Sequence, residues 1–257
     1  MYNLAILRQP AGIGDIFYAL KIGHTIRAEK VLWPVKDIYY EAIAKHIETI
    51  RDRNIEFCKV SDFLKNGDPE EVDFWTSEIK KVKCYGDNKI FIPLQFSDTL
   101  PEYNQSGVMK AKYKMVNCLD SDWSLYFNFK RDKKREDDLF KHYGLKDGDE
   151  YIVVSENYGT PPDYQTYKLP SYDDNDKRKI VKIDFVEGYN VFDFCKVFEN
   201  AQEIHMLETC FCYILEKLDL KSTVFNLYNR HVDSINHRHV INIPRKIKWN
   251  FRLKNEN

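Results

Sequence analysis

Short apolar runs alternate with stretches in which apolar residues recur every three or four positions, and this alternation carries through most of the chain. Leu4 to Leu7 is an unbroken apolar run, the pattern of a strand buried on both faces. It leads through Gly12-Ile13-Gly14-Asp15 into Ile16, Ala19, Leu20, Gly23 and Ile26, a core-facing stripe that predicts a helix over 16–27. Val31 to Trp33 predicts a second strand, ended by Pro34. Ile38, Ala42, Ile43, Ile47 and Ile50 then repeat at helical spacing, and Ile55 to Val60 predicts a third strand. The β-α-β-α-β order implies a parallel sheet with right-handed crossovers. From 62 to 125 the pattern is less regular, with a strand predicted at 89–94 and a helix at 108–119.

Residues 130–143 predict a charged helix anchored by Leu139, Phe140 and Tyr143 and stopped by Gly144. The polar run Lys146 to Glu150 that follows marks a domain boundary, giving domains 1–147 and 148–257. Beyond it the alternation resumes. Tyr151–Ser155 predicts a strand, 155–170 a long polar loop, and 180–186 another strand. Val191, Phe194, Cys195 and Phe198 stripe a helix over 191–200, with Asn190 as its cap and Asp193 in its first turn. Glu203–Leu207 is a strand, Phe211, Ile214, Leu215 and Leu218 stripe the next helix, and 223–227 is a further strand. The tail from Pro244 is basic and aromatic, suited to packing back across the halves or to fraying.

At 257 residues the chain can bury two modest α/β cores. Its 39 Lys+Arg and 40 Asp+Glu leave a formal net charge of -1, so no global field draws it to nucleic acid. Charged partners must be met locally. The basic residues of 130–143 could touch an anionic acceptor or lipid headgroup in a peripheral membrane contact, although the interleaved acids favour a solvated face. No apolar run approaches the roughly 20 residues that cross a bilayer, and no secretory core follows the N-terminus, so a cytoplasmic protein is expected. Six cysteines without a CxxC pair predict free, mostly buried thiols. His237 and His239 would share a strand face, but no third ligand lies nearby, so neither a metal site nor a cofactor is expected.

Candidate chemistry gathers at two places. A strand, a glycine turn and a helix start build a site for an anion or a cleft-facing side chain, and Gly14 and Asp15 stand there. Asp15 can cap the helix or act as a base, or both. In the second half, Glu208 and Thr209 follow a strand and open a helix, where backbone N–H groups and the Thr209 hydroxyl can meet phosphates.

These two places resemble glycosyltransferases of the GT-B fold, and among them the heptosyltransferase-like group of lipopolysaccharide biosynthesis. Gly14-Asp15-Ile16 is similar to that family's acceptor-side loop, whose aspartate is the proposed base. Ala201 to Thr209 is similar to its donor-side strand ending in Asp-Thr, with Glu208 standing for the Asp. The resemblance implies two Rossmann-like domains facing a cleft. It implies metal-independent transfer of a sugar from a nucleotide-sugar donor to a glycan or lipid-linked acceptor, with Asp15 as general base across the gap from the helix near 209. Position adds Lys168 as a cation for the donor, Glu187 for its ribose hydroxyls and Arg230 for a phosphate. Each of the three has a plain competitor as a solvated charge.

Cys210 and Tyr213 stand where that family has glycine and histidine, so a non-catalytic nucleotide- or glycan-binding protein on the same frame is the alternative. A dinucleotide-dependent oxidoreductase fits less well: Phe17 takes the place of the last glycine of GxGxxG, and Glu41 falls on a helix instead of at the second strand's end.

Overall fold

The computed structural model describes residues 1–48, 55–101, 103–159, 165–169, 177–228 and 244–252. The chain divides into two compact units, Met1–Phe129 with Asn236–Pro244, and Lys130–Ile235 with Arg245–Asn257.

In the first unit, strands β1 (Tyr2–Leu7), β2 (Ala28–Val35), β3 (Ile55–Lys59), β4 (Lys83–Tyr85) and β5 (Lys89–Ile92) form one sheet in the order β3-β2-β1-β5-β4. All pairs are parallel except β4 with β5, a hairpin. β2 runs through Pro34 instead of ending there. β1 pairs with it only as far as Leu32, so Pro34 has a single neighbouring strand, a position that tolerates a missing N–H.

Helix α1 (Ile13–Thr25) begins three residues before Ile16 and is buried at every position from Ile16 to His24. The expected one-sided stripe is therefore a fully enclosed helix, with Phe17 stacked on Phe127 and the Tyr113 hydroxyl bonded to the Tyr18 carbonyl. The helix foreseen over 38–50 breaks up. Helix α2 (Asp37–Ala42) ends where Ile43 leaves helical backbone, and Ile47–Glu48 pairs antiparallel with Asn128–Phe129. Branched isoleucines lose side-chain freedom in helices and sit well in extended backbone. Ile50 lies outside the described residues. Helices α3 (Val60–Asn66) and α4 (Pro69–Thr76) follow β3, and α5 (Tyr103–Met115) is broken at Gly107 (φ 77°), so its continuous part starts at 108 as expected and ends at Met115, short of 119.

The second unit begins at Lys130, not at 148, because α6 (Lys133–His142) packs there. Glu136, 0% exposed, takes the Arg131 guanidinium, which also reaches Glu199 at 2.8 Å, while Arg135 forks onto Asp193 at 3.0 and 2.6 Å. Two of the basic residues read as solvated thus close ion pairs within their own unit. Strands β6 (Tyr151–Ser155), β7 (Lys179–Ile183), β8 (Glu203–Leu207), β9 (Val224–Tyr228) and β10 (Asn250–Arg252) form a parallel sheet in the order β7-β6-β8-β9-β10. The residues 191–200 are one 3-10 turn, capped by Asn190 and Asp193 together, continuing as α7 (Cys195–Asn200). Helix α8 is only Phe211–Leu215. The tail contributes the edge strand β10, and Glu216 accepts the Lys246 N–H at 2.7 Å. All six cysteines are free; Cys195 and Cys212 are buried, whereas Cys84 is exposed.

Each unit is thus a parallel α/β sheet of Rossmann-like type. In the first the strand order reverses between β1 and β5, in the second between β6 and β8. In open α/β sheets ligands bind outside the carboxyl ends of the strands at such a reversal.

Candidate functional site

Leu7 and Ile92 are paired at the carboxyl ends of β1 and β5, and the chain beyond them is tied together by Arg8 N–H to Ile92 O (2.9 Å) and Gln95 N–H to Arg8 O (3.0 Å). Gly12 turns the chain into α1 with φ of 83°, a left-handed backbone that suits glycine. A Cβ there would also strike the Asp15 carboxylate. The conformationally demanding glycine is therefore Gly12, while Gly14 lies within the first turn of α1.

No side chain caps α1 at Gly12. Asp15 instead sets Oδ1 3.1 Å from the Lys112 ammonium on α5, and its side chain remains 32% exposed. Lys112 is 1% exposed. It also donates to Gln9 Oε1 at 2.7 Å and to Leu94 O at 3.1 Å. The ammonium is buried among these three groups. Its effect is to hold a partly open carboxylate at the positive end of α1 with one oxygen already engaged.

In the second unit, Glu208 and Thr209 come directly after β8, and the Glu208 N–H donates to Tyr228 O at 3.2 Å. Glu208 is 8% exposed. Among the described residues the Thr209 Oγ1 is buried without a hydrogen-bond partner, and so are Nε and Nη1 of Arg245. Arg245 lies against Cys212, one turn beyond Thr209. Burial pushes the Cys212 thiol up to about 11, with the guanidinium acting the other way. Buried polar atoms without partners are rare in folded proteins and call for an explanation, a bound ion among them.

Lys168 and Glu187 are both exposed, Glu187 in the turn before Gly188. The loop after β6 is anchored by Glu156, whose carboxylate accepts the Leu169 N–H at 3.0 Å and pairs with Lys182 at 3.0 Å. Arg230, His237 and His239 lie outside the described residues.

The fold is similar to that of a glycosyl transferase family 9 protein from Veillonella parvula DSM 2008. The likeness has a TM-score of 0.50 at 8% sequence identity and covers 89% of this chain and 80% of that one. It is a likeness of fold. No protein-family model matches the sequence, and no curated protein matches it. No helix among the described residues is long and apolar enough to cross a membrane.

Sequence reasoning named Asp15, Glu208 and Thr209 as candidates and did not single out Gln9, Lys112, Glu156 or Arg245, which the structure places beside them or beside the loop after β6. Lys112 had left one signal: it falls three residues after Met109 and beside Ala111 and Tyr113, a lysine inside an apolar stripe. Arg245 left none, because its place depends on β10 joining the sheet from the far end of the chain.

Proposed function

We propose that the protein is a glycosyltransferase that moves a sugar from a nucleotide-sugar donor to a hydroxyl of a glycan or lipid-linked acceptor. The observation that carries this reading is Asp15, a partly open carboxylate fixed by a buried ammonium at the strand-order reversal of the first sheet. The likeness to a glycosyl transferase fold supports it. In the step proposed, the acceptor hydroxyl oxygen bonds to the anomeric carbon as the bond from that carbon to the diphosphate oxygen breaks. Asp15 takes the hydroxyl proton. Lys112 and Gln9 keep Asp15 in position, leaving Oδ2 for the proton. The diphosphate leaves with its full charge, which the second unit offsets through Arg245 and the Thr209 hydroxyl, with Glu208 beside them. Gly14, Lys168, Glu187 and Arg230 complete the proposed donor-binding set.

A second reading is a nucleotide- or glycan-binding protein without catalysis. Cys210 and the buried Tyr213 favour it, since a glycine would let the backbone approach a phosphate more closely. A panel of nucleotide sugars separates the two. Both readings expect nucleoside diphosphates to raise the melting temperature. Only transfer expects release of nucleoside diphosphate from a donor, accelerated by an acceptor glycan; saturable binding of every stabilising donor with no release would reject it.

A further inference from the structure

Arg8 follows β1 directly, in the same stretch of chain that carries Gln9, and its guanidinium takes no part in the Asp15 network. It stands over two aromatic rings, 5.6 Å from the Trp75 centroid and 5.3 Å from the Phe96 centroid. Nη1 donates to Ser77 O at 2.7 Å. No carboxylate of the described residues forms an ion pair with Arg8, although Glu78 is close enough to be felt. The Lys80 ammonium stands over the same Phe96 ring, 5.8 Å from its centroid. A guanidinium has five N–H donors in a rigid fork, and one of them is used here.

A structural strap would explain the two rings and the Ser77 bond. It does not explain a partly buried cation that no carboxylate of the described residues pairs with, at the strand ends where ligands of such sheets sit. Burial lowers the Arg8 pKa, the mark of a charge whose desolvation is not fully offset. With Nη1 engaged at Ser77 O, the guanidinium keeps further N–H donors of its fork for a planar pair of oxygens.

We propose that Arg8, with Lys80 beside it, is an oxyanion-binding site for a phosphate or carboxylate group of the ligand taken by the first unit. That this ligand is the sugar acceptor rests on the proposed function; the binding of an anion does not.

Trp75 is the reporter. Indole ¹⁵N–¹H NMR of the whole chain resolves the four tryptophans, and Trp75→Phe identifies the relevant signal. The protein is titrated with inorganic phosphate and, separately, with methyl glucuronide, at constant ionic strength against chloride. The Trp75 signal is expected to move saturably with at least one of the two, while those of Trp33, Trp123 and Trp249 stay in place. Phosphate alone points to a phosphorylated ligand, and the carboxylate alone to an acidic sugar. Arg8→Gln is expected to weaken the response by roughly tenfold or more, the loss of a forked charge-assisted contact. Should Arg8→Gln not fold, Arg8→Lys decides, since it keeps the charge and loses the fork: weaker binding supports the site and equal binding overturns it. No response to either anion, or an equal response in Arg8→Gln, also overturns it. Asp15→Asn is expected to leave the titration unchanged, so lost turnover with intact anion binding counts against transfer and not against the Arg8 site.

Discussion

Lys112 and Gly12 set the terms on which Asp15 can act, and both can be tested singly. Replacing Lys112 by Met removes one ammonium and strands three acceptors, Asp15 Oδ1, Gln9 Oε1 and Leu94 O. Leaving buried acceptors without their donor costs about 1–3 kcal/mol, so Lys112→Met is expected to lower the unfolding free energy by that order in denaturant titration. Gly12→Ala forces a side chain into a left-handed backbone and against a carboxylate. A loss of about 1–3 kcal/mol is expected, seen as a lower melting temperature, with Gly14→Ala costing less. Asp15 stood out as a candidate because a glycine turn leads from an apolar strand into the helix it opens. Lys112 did not, because lysine is rarely buried and only its partners, far away in sequence, explain the exception.

At the scale of elements, β6 and β8 were legible to the residue: β6 is a nearly unbroken apolar run, as strands covered on both faces leave, and β8 carries Ile204, Met206 and Leu207 around His205. The 38–50 helix was not, because isoleucines at helical spacing also suit a short helix followed by extended chain. β10 and the three-residue β4 are set by their neighbours, not by their own pattern. β8 and β9 also carry a buried polar ladder. His205 Nε2–H donates to Glu203 Oε1 at 2.8 Å, as a carboxylate only accepts, and Nδ1 then accepts from the Tyr228 hydroxyl at 2.9 Å. Burial lowers the His205 pKa below its ordinary 6.5, outweighing Glu203, which favours the charged ring. The folded state therefore prefers the neutral ring. This contribution is present above pH 6.5 and is lost as pH falls through the depressed value. Thermal unfolding from about pH 7.5 down to about pH 5 is expected to show a loss of stability that His205→Gln reduces.

At the scale of the whole molecule, a net charge of -1 gives no general attraction to anions, so any phosphate affinity must come from local cations. Arg245 is proposed for the donor beside Lys168 and Arg230, and Arg245→Gln is expected to weaken nucleoside diphosphate binding by roughly tenfold in calorimetry while leaving the Trp75 anion response in place. Two parallel sheets were legible from the repeated alternation, but the seam at 129/130 was not, because the ion pairs that bind α6 to the second unit join residues such as Arg131 and Glu199. The central claim is that a carboxylate held by Lys112 takes the proton of the acceptor. Its most direct test is the turnover of Asp15→Asn on whichever donor the wild type consumes, since asparagine fits the same space without serving as a carboxylate base. A fall in kcat of about 10²–10⁴-fold with nucleoside diphosphate affinity unchanged is the expected result; turnover equal to wild type would contradict it.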